Sequence, residues 1–366
     1  MLYKSLVTKI SIPPEKKTKQ KEYLEIGLLP IVDQGKEIIG GYTNEVEKNI
    51  VCNLPVIVFG DHTCSVKYIN FPFGAGADGI KILKAKDNVL PQYLFYGTQY
   101  LVFHLHDRGY ARHYQHIEKM DLYVPPIEEQ RRIVSRIEEL FSELDSAVET
   151  LQKTRQQLEI YRQAVLKEAF ENCKIQVRFG DIIISRLGKM LDKKKNVGVE
   201  RTYLRNANVR WFDFDLSNLL QMRITDDEID RYSLHKGDLV ICEGGEPGRC
   251  AIWKKDEMIF YQKALHRVRF KTKCKPEFYM YYMSYIAKTG TINEYFTGTG
   301  IKHLTGESLS KIPVPSTSYS QQEKITSEIE LKMSVCDSIE KTVNEALQQA
   351  EAMRQSILKK AFEREL

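Results

Sequence analysis

The chain lacks the features that mark several large classes of protein. No apolar run reaches the roughly eighteen residues that a membrane-spanning helix needs, and we expect no signal peptide at its beginning. Its seven cysteines are odd in number and include no CxxC pair. A disulfide framework or a zinc ribbon is therefore not predicted, and the thiols are interpreted as reduced side chains of a cytoplasmic protein.

Two catalytic motifs are also missing. The chain has no GxxxxGK[ST] loop, so ATP hydrolysis is not expected. It has no Asn-Pro-Pro-Tyr or Asp-Pro-Pro-Tyr run of the kind found in amino-methyltransferases, so base methylation within this chain is not expected. These absences disfavour a stand-alone nuclease or methyltransferase, and no cofactor is predicted.

A long internal repeat is the strongest positive feature. The segment Gln130–Glu171 aligns with Gln322–Glu363 at a constant offset of 192 without a gap, and nineteen of the forty-two positions are identical. The identical pairs include Asp145/Asp337, Arg162/Arg354 and Phe170/Phe362. A repeat of this length means that one structural plan occurs twice, a globular region followed by a long helix.

Each copy predicts a helix of roughly 65–70 Å. Proline precedes both copies, in Val124-Pro125-Pro126 and in Val314-Pro315, and measured from these prolines the second helix start is stretched by two residues. Apolar residues then recur at alternating spacings of four and three, which is typical of coiled coils. The predicted seams are Ile133, Ile137, Leu140, Leu144, Ala147, Leu151, Thr154, Leu158, Tyr161 and Val165, and Ile325, Ile329, Lys332, Cys336, Ile339, Val343, Ala346, Ala350, Met353 and Ile357. An antiparallel pair within one chain is expected; pairing between two copies stays open.

Positive charge is concentrated outside the helices. Residues 1–120 contain 15 Lys and Arg against 12 Asp and Glu, and residues 174–310 contain 24 against 17. The segments 121–173 and 311–366 contain 7 against 11 and 8 against 9. Basic globular regions on acidic spacers are the distribution expected of a protein that binds a polyanion, although charge alone also fits ordinary scatter.

The two globular regions have the same order of predicted elements. Strands are predicted at Val56–Phe59, Val66–Ile69 and Ile80–Leu83 in the first region, and at Leu239–Cys242, Cys250–Trp253 and Leu265–Phe270 in the second. An aromatic helix begins at Pro91 in the first region and at Pro276 in the second. Two regions that share the order of their elements but differ in sequence suggest that one kind of domain binds two different targets.

These motifs resemble the specificity subunits of type I restriction-modification systems. The resemblance covers nearly the whole chain and rests on the run from Val124 to Ile133, on the run from Leu166 to Phe170, and on the segments Lys236–Ile241, Gly245–Arg249 and Pro30–Gly35. Val177–Asp181 resembles the opening strand of such a domain, whereas the first region lacks that opener, so its first strand is expected to be missing or altered.

The resemblance implies an α+β fold with two mixed α/β target recognition domains separated by two long antiparallel coiled-coil helices. The implied segments are a first recognition domain at 1–122, a central spacer helix at 123–173, a second recognition domain at 174–312 and a C-terminal spacer helix at 313–366. Each domain would read half of a split site in double-stranded DNA, and the helices would set the gap. Two methyltransferase subunits would dock on the helices and restriction motor subunits would join them, in a prokaryotic cytoplasm, while the chain itself does no chemistry.

Two rival motifs are set aside on their context. The run Gly74–Gly79 matches GxGxxG, but a strand is predicted after it where a dinucleotide loop needs a helix. We interpret it as a glycine turn between strands. Four histidines, His104, His106, His113 and His116, lie close together, but no cysteine ligand lies at a useful spacing, so no metal site is predicted.

Polar residues in loops after strands are the candidates for reading DNA, because base edges are distinguished mainly by Arg, Lys, Asn and Gln side chains. In the first region we predict Lys36, His62, Arg108, Tyr110, Arg112 and His113. In the second region we predict Arg205, Asn206, Asn208, Lys302 and His303, with phosphate contacts from Lys193, Lys194 and Lys195. The competing hypothesis is a coiled-coil scaffold whose globular ends bind proteins.

The charge distribution makes a testable prediction about salt. The isolated chain should bind duplex DNA weakly, and its affinity should fall steeply as salt is added, because each neutralised phosphate releases counterions and contributes a log–log slope of about −0.9. Fluorescence anisotropy over a salt series measures this slope. A flat response would contradict binding through the phosphate backbone.

Overall fold

The computed structural model describes residues 1–76, 79–105, 112–192 and 196–366 and divides the chain into two compact units. The first unit consists of Met1–Gln152 and Val343–Leu366, and the second unit consists of Lys153–Thr342. The division falls inside both long helices, so each unit contains part of each helix. Among the described helices, none is both long enough and apolar enough to cross a bilayer.

The first unit contains two four-stranded sheets. Its strands are β1 (Val7–Ile10), β2 (Lys17–Thr18), β3 (Leu29–Val32), β4 (Gly41–Thr43), β5 (Val56–Gly60), β6 (Val66–Ile69), β7 (Gly74–Gly76) and β8 (Ile80–Ala85). One sheet has the antiparallel order β1-β8-β5-β6, and the other has the order β2-β7-β3-β4. The helices that follow are α1 (Pro91–Phe103), α2 (Tyr114–Ile117) and the start of the long helix α3 (Ile127–Glu171).

The second unit has a closely similar arrangement. Its strands are β9 (Gln176–Arg178), β10 (Ile183–Leu187), β11 (Val199–Leu204), β12 (Leu220–Ile224), β13 (Ser233–Leu234), β14 (Leu239–Cys242), β15 (Cys250–Ile252), β16 (Ile259–Tyr261), β17 (Leu265–Phe270) and β18 (Pro313–Pro315). The sheets are β10-β17-β14-β15, β12-β11-β16-β13 and the pair β9-β18. Its helices are α4 (Phe179–Ile182), α5 (Ile229–Tyr232), α6 (Pro276–Lys288), α7 (Gly306–Lys311) and the start of the long helix α8 (Tyr319–Phe362).

The strand orders confirm that the two globular regions share one plan. In each unit the first sheet is fully antiparallel. In the second sheet, β3 and β11 each have one antiparallel neighbour (β4 or β12) and one parallel neighbour (β7 or β16). The outermost strands differ, because β2 is parallel to β7 whereas β13 is antiparallel to β16. The second sheet of each region was not predicted.

The expectation of a missing or altered opening strand in the first region is confirmed in its second form, because a single bridge stands there where the second region has strand β9 paired with β18. Strand β1 pairs with β8 as β10 pairs with β17. The segment before it also has its counterpart, because the Tyr3 N–H donates to the Met120 carbonyl at 2.8 Å, as the Phe179 N–H donates to the Ile312 carbonyl at 2.8 Å. Tyr3 and Phe179 are both fully buried. The opener is shorter, a single bridge from Leu2 to Asp121, and therefore lacks a recognisable sequence pattern.

The central strand of each first sheet is buried on both faces. In β14, Leu239 and Ile241 face the core that also contains α6, whereas Val240 and Cys242 face the core beneath the second sheet. In β5, Ile57 and Phe59 likewise face α1, and Val56 and Val58 face the other core. Side chains on a strand alternate between its faces, so an uninterrupted apolar run is what a strand between two cores requires.

The start of each long helix is fixed by a buried glutamine. Gln130 accepts a hydrogen bond from the Leu90 N–H at 2.9 Å and donates to the Pro125 carbonyl at 2.8 Å. Its repeat partner Gln322 accepts from the Lys275 N–H at 2.9 Å and donates to the Thr317 carbonyl at 3.1 Å. Leu90 and Lys275 are the N-caps of α1 and α6. One amide thus satisfies backbone groups at two helix starts.

The end of each long helix is fixed by a buried phenylalanine. Phe170, near the end of α3, lies 5.3 Å from the ring centroids of Phe278 and Tyr282 on α6. Phe362, at the end of α8, lies 5.0 Å from Tyr93 and 5.3 Å from Tyr100 on α1. Each unit therefore holds the start of one long helix and the end of the other.

Ion pairs between the long helices follow the repeat. In the second unit, Arg162 donates to Asp337 at 2.7 Å and to Glu340 at 2.9 Å, and Lys332 donates to Glu168 at 2.8 Å. As the residue number rises on α3 it falls on α8, so the pairing is antiparallel. In the first unit, Arg354 donates to Asp145, which is the same Arg–Asp contact offset by 192 residues.

The predicted seams are buried at some positions and exposed at others. Ile133, Ile137, Leu158, Val165, Ile325, Ile329, Cys336, Val343 and Ala350 are among the buried members. Ala147, Tyr161, Ile339 and Met353 are exposed. A strict period of 3.5 residues drifts around a straight helix by about 20° per heptad.

The predicted stretch of two residues before the second helix was also wrong. Helix α3 begins at Ile127 and α8 at Tyr319, which keeps the offset of 192. Leu122 and Val314, at the same offset, are both buried. The proline positions differ between the copies, but the number of residues from the buried position to the helix start is the same.

The glutamine contact generates a prediction for the second unit. Gln322→Ala removes the acceptor of the Lys275 N–H. The variant should lower the stability of this unit by about 1–3 kcal/mol, because the N–H group is then left without a hydrogen-bond acceptor in the folded protein. Both tryptophans, Trp211 and Trp253, lie in the second unit, so tryptophan fluorescence during urea unfolding follows it. The neighbouring exposed residue supplies the control, since Gln321→Ala should change the midpoint little. Equal midpoints for both variants would contradict the assignment.

Candidate nucleic-acid interface

A glycine-rich turn at the end of β14 forms the centre of the candidate surface in the second unit. The turn runs from Glu243 to Arg249 and contains two glycines with positive φ, Gly245 at 76° and Gly248 at 90°. A Cβ on Gly248 would lie 2.4 Å from the Ile292 side chain. The turn therefore requires glycine both for its backbone conformation and for its close approach to the core.

The loop after β11 packs directly against this turn. Asn206 donates from Nδ2 to the Gly244 carbonyl at 2.8 Å, and Arg249 donates from Nη2 to the Asn206 carbonyl at 2.9 Å. Arg205 reaches across the loop and donates to the Asn218 carbonyl at 2.7 Å. Two loops that follow strands of different sheets thus form one continuous surface.

Asn208 holds this loop from inside. Its Oδ1 accepts from the Arg205 N–H at 2.9 Å, and its Nδ2 donates to the carbonyls of Asp215 and Asn218 at 2.9 and 3.2 Å. The side chain is 2% exposed. Asn208 was predicted to contact DNA, but the structure assigns its hydrogen-bonding groups to the backbone of its own loop.

A third segment joins the surface through a buried histidine. Leu304 donates its N–H to the Glu243 carbonyl at 2.7 Å, and its own carbonyl lies 2.9 Å from His266 Nε2. His266 is on β17 and is 2% exposed. Since a carbonyl can only accept, this imidazole carries its proton on Nε2 when neutral. Burial lowers the pKa of His266 below its usual value, against weaker opposing effects of the Leu304 carbonyl and Glu243.

The arginine of the glycine-rich turn is held by an acidic residue. Arg249 donates from Nη1 to Glu246 at 2.6 Å, and the Trp211 indole donates to the same carboxylate at 2.8 Å. Lys302 and His303, by contrast, are exposed. Lys302 forms no ion pair among the residues that the structure describes, so its charge is available to an anion.

The first unit has the corresponding arrangement with different residues. The Gln34 carbonyl, in the loop after β3, accepts from Thr63 Oγ1 at 2.5 Å and from Ser65 Oγ at 3.0 Å, in the turn after β5. Lys67 donates to the Asp33 carbonyl at 2.8 Å. Burial lowers the pKa of Lys67, and the nearby Asp33 carboxylate opposes that shift. The same two loops as in the second unit are therefore joined.

The candidates predicted in the first region have different surroundings. Lys36 and Arg112 are exposed, and His62 is half-buried in the turn after β5. His113 is 6% exposed, and its N–H donates to the Asp61 carbonyl at 2.9 Å. Its side chain is therefore inside the unit. Arg108, Tyr110, Lys193, Lys194 and Lys195 lie outside the described residues.

Neither rival motif is assembled into a ligand site within the described ranges. Gly74–Gly76 is the buried strand β7, and a Cβ on Gly76 would lie 2.6 Å from the Asp33 Cβ and 2.7 Å from the Tyr23 hydroxyl. The glycines thus permit close packing of strands, and the predicted turn is a strand over these three residues. No group of three or more His, Cys, Asp or Glu is placed to hold a metal within residues 1–76, 79–105, 112–192 and 196–366.

Comparison with known proteins points to one family. A family model described as type I restriction modification DNA specificity domain matches residues 175–349. The specificity subunit of the type I restriction enzyme EcoKI from Escherichia coli strain K12 is 27% identical over 268 residues, which cover 68% of this chain and 58% of that protein. The StySPI specificity subunit from Salmonella potsdam is 26% identical over 271 residues and covers the same shares. The chain thus spans about 58% of the length of these relatives.

Solved structures share the fold. A chain from a study of complex assembly and conformational transition of the type I R-M system superposes with a TM-score of 0.74 at 14% identity, covering 100% of this chain and 97% of that one. The HsdS subunit from Thermoanaerobacter tengcongensis gives a TM-score of 0.55 at 15% identity, covering 100% and 96%. At these identities the likeness concerns the fold alone.

The buried histidine generates a prediction about pH. A base whose pKa is lower in the folded state than in the unfolded state stabilises the fold fully above the unfolded value of about 6.5, and that stability is lost as the pH falls through and below it. The second unit should therefore unfold at lower urea at pH 5.5 than at pH 7.5.

The variant His266→Gln keeps an Nε2 donor for the Leu304 carbonyl but cannot be protonated, so it should reduce this loss. Tryptophan fluorescence during urea unfolding at the two pH values measures the loss of stability. The exposed His235→Gln is the control and should keep the wild-type pH dependence. If His266→Gln also keeps the wild-type pH dependence, the buried imidazole is not the origin of that dependence.

Proposed function

From the premise that this chain belongs to the specificity subunits of type I restriction-modification systems, we propose that each globular region reads one half of a bipartite DNA site. The long helices set the distance between the two half-sites and dock two methyltransferase subunits, which restriction motor subunits then join. The chain itself carries out no reaction and delivers sequence selectivity to its partners.

The observation that supports this proposal is that the same arrangement of strands occurs in both units with different loops. Strands β5 and β14 lie in equivalent sheets, and each is followed by a turn that contacts the loop after β3 or β11. The turn after β5 contains Thr63 and Ser65, whereas the turn after β14 contains Gly244 and Arg249. A shared frame with dissimilar polar loops fits two readers of different base sequences.

The residues proposed to contact DNA are the exposed and half-buried members of the predicted set. Exposure and polarity support Lys36, Arg112, Lys302 and His303, and partial exposure supports His62, Arg205 and Asn206. Arg108, Tyr110 and the three lysines at 193–195 stay in the proposal on sequence grounds. His113 and Asn208 are buried, and the Asn208 side chain holds its own loop. Both are left out of the proposed contacts, since a side chain must be accessible to reach a base edge.

Docking of partner subunits on the helices is supported by an uncovered apolar stripe. Leu331, Val335 and Ile339 on α8 are spaced four residues apart and are 69%, 52% and 40% exposed. Residues at this spacing lie on one face of a helix. An apolar face is suited to a protein partner rather than to DNA, so we assign this stripe to a methyltransferase subunit.

Methylation profiling of the host genome tests the proposal. Deleting the gene for this chain should abolish methylation at one bipartite motif, two short defined sequences separated by a fixed undefined gap. Restoring the gene should restore the same motif. If no methylated motif depends on the chain and the purified protein retains no DNA selectively, the competing hypothesis of a protein-binding scaffold is favoured.

Lengthening both helices should change the gap and leave the half-site sequences unchanged. Seven residues inserted after Thr150 and seven after Gln348 preserve the heptad phase and add about 10 Å to each helix. At 3.4 Å per base pair the gap should grow by about three base pairs.

Lengthening α3 alone is the control for the spacer variant. Each unit holds the start of one helix and the end of the other, so a single insertion should pull one end from its contacts and destabilise the protein. A doubly lengthened variant that kept its gap and changed its bases would contradict the role of the helices.

A further inference from the structure

A short hairpin projects beside the glycine-rich turn of the second unit. Thr297 and His303 exchange two backbone hydrogen bonds, of 2.8 and 2.9 Å. Gly298 has a φ of 97°, and a Cβ there would lie 2.3 Å from the Ile301 carbonyl. The tip between the paired residues is therefore tight, and its conformation depends on glycine.

The base of this hairpin is anchored to both central strands of the first sheet. Leu304 follows it directly and is bonded to Glu243 at the end of β14 and to His266 on β17. The His303 ring also lies against the glycine-rich turn, because a Cβ on Gly244 would be 3.1 Å from its Nδ1. The tip is thus held at a defined position on the candidate surface.

The residue at this tip is apolar. Ile301 is 74% exposed, and its neighbour Lys302 is exposed as well. Single exposed apolar residues are common on protein surfaces, but this one sits on an anchored projection next to the basic residues of the proposed DNA surface. Ile301 is not a member of the apolar cores that the described residues of this unit form.

We propose that Ile301 is a specificity-determining residue that contacts the 5-methyl group of a thymine in one half-site. This inference rests on the proposed function and names a base contact for it. The major groove of B-DNA admits a two-stranded ribbon, and the thymine methyl is the apolar group that a base pair presents there. An aliphatic side chain has no hydrogen-bonding atoms, so apolar contact is the readout available to it.

The test uses the full chain, with its methyltransferase subunits, and duplexes of the profiled site. In separate duplexes, the thymines of one half-site are replaced by deoxyuridine, which removes only the 5-methyl groups. The wild-type protein should bind one of these duplexes about fourfold more weakly than the natural site, the effect of losing one buried methyl contact. Ile301→Ala should weaken binding to the natural site by a similar factor and should no longer distinguish thymine from deoxyuridine.

Ile175→Ala is the matched control, because Ile175 is 71% exposed in the same unit. It should bind and discriminate like the wild type. The inference is overturned if Ile301→Ala loses the same affinity on both duplexes, as it would if Ile301 were wedged between bases, if it loses none, or if neither half-site contains thymine. A wild-type protein that does not select the profiled site at all would instead refute the proposed function, and this inference with it.

Discussion

The antiparallel pairing of the long helices depends on how their ends are held. Each globular core binds the start of one helix through a buried glutamine, Gln130 or Gln322, and the end of the other through a buried phenylalanine, Phe362 or Phe170. A helix whose start is bound in one core therefore has its end bound in the other. Ion pairs on the surface of the helices add little energy individually, but the repeated contact of Arg162 with Asp337 and of Arg354 with Asp145 matches this arrangement.

The contacts that hold the ends of the long helices tolerate little substitution. A buried amide that bonds both a donor and an acceptor cannot be replaced without orphaning one of them. The aromatic clusters around Phe170 and Phe362 combine large apolar area with tilted and stacked ring contacts. This explains why glutamine and phenylalanine are identical between the repeat copies, whereas seam positions such as Leu158 and Ala350 differ.

In the candidate surface of the second unit, several polar side chains are already bonded to neighbouring loops. Arg205, Asn206 and Arg249 each bond backbone carbonyls of neighbouring loops. Such loops are preorganised, so less conformational freedom is lost when a ligand binds. Exposed side chains such as Lys302 remain for contact with the ligand. A rigid loop frame with a few accessible groups is compatible with selective recognition.

Part of this organisation could be predicted from the sequence alone. The ungapped repeat predicted two long helices and two related globular regions, and the apolar runs at 56–59 and 239–242 predicted strands that the structure contains. These features are local, because periodicity and turn residues act over a few neighbours. The candidate residues were chosen by the same local reasoning, which cannot distinguish exposed Lys302 from buried Asn208.

Only the tertiary structure decided how distant segments meet. The second sheet of each unit pairs strands far apart in the chain, such as β3 with β7 and β11 with β16, and the sequence of one strand contains no sign of its partner. The anchoring of the 297–303 hairpin by His266 and Glu243 is of the same kind. The sequence by itself determined the repeated plan, because helix and strand periodicity are encoded locally. Which polar side chains hold loops and which face solvent depends on packing between segments, and packing is a property of the folded chain.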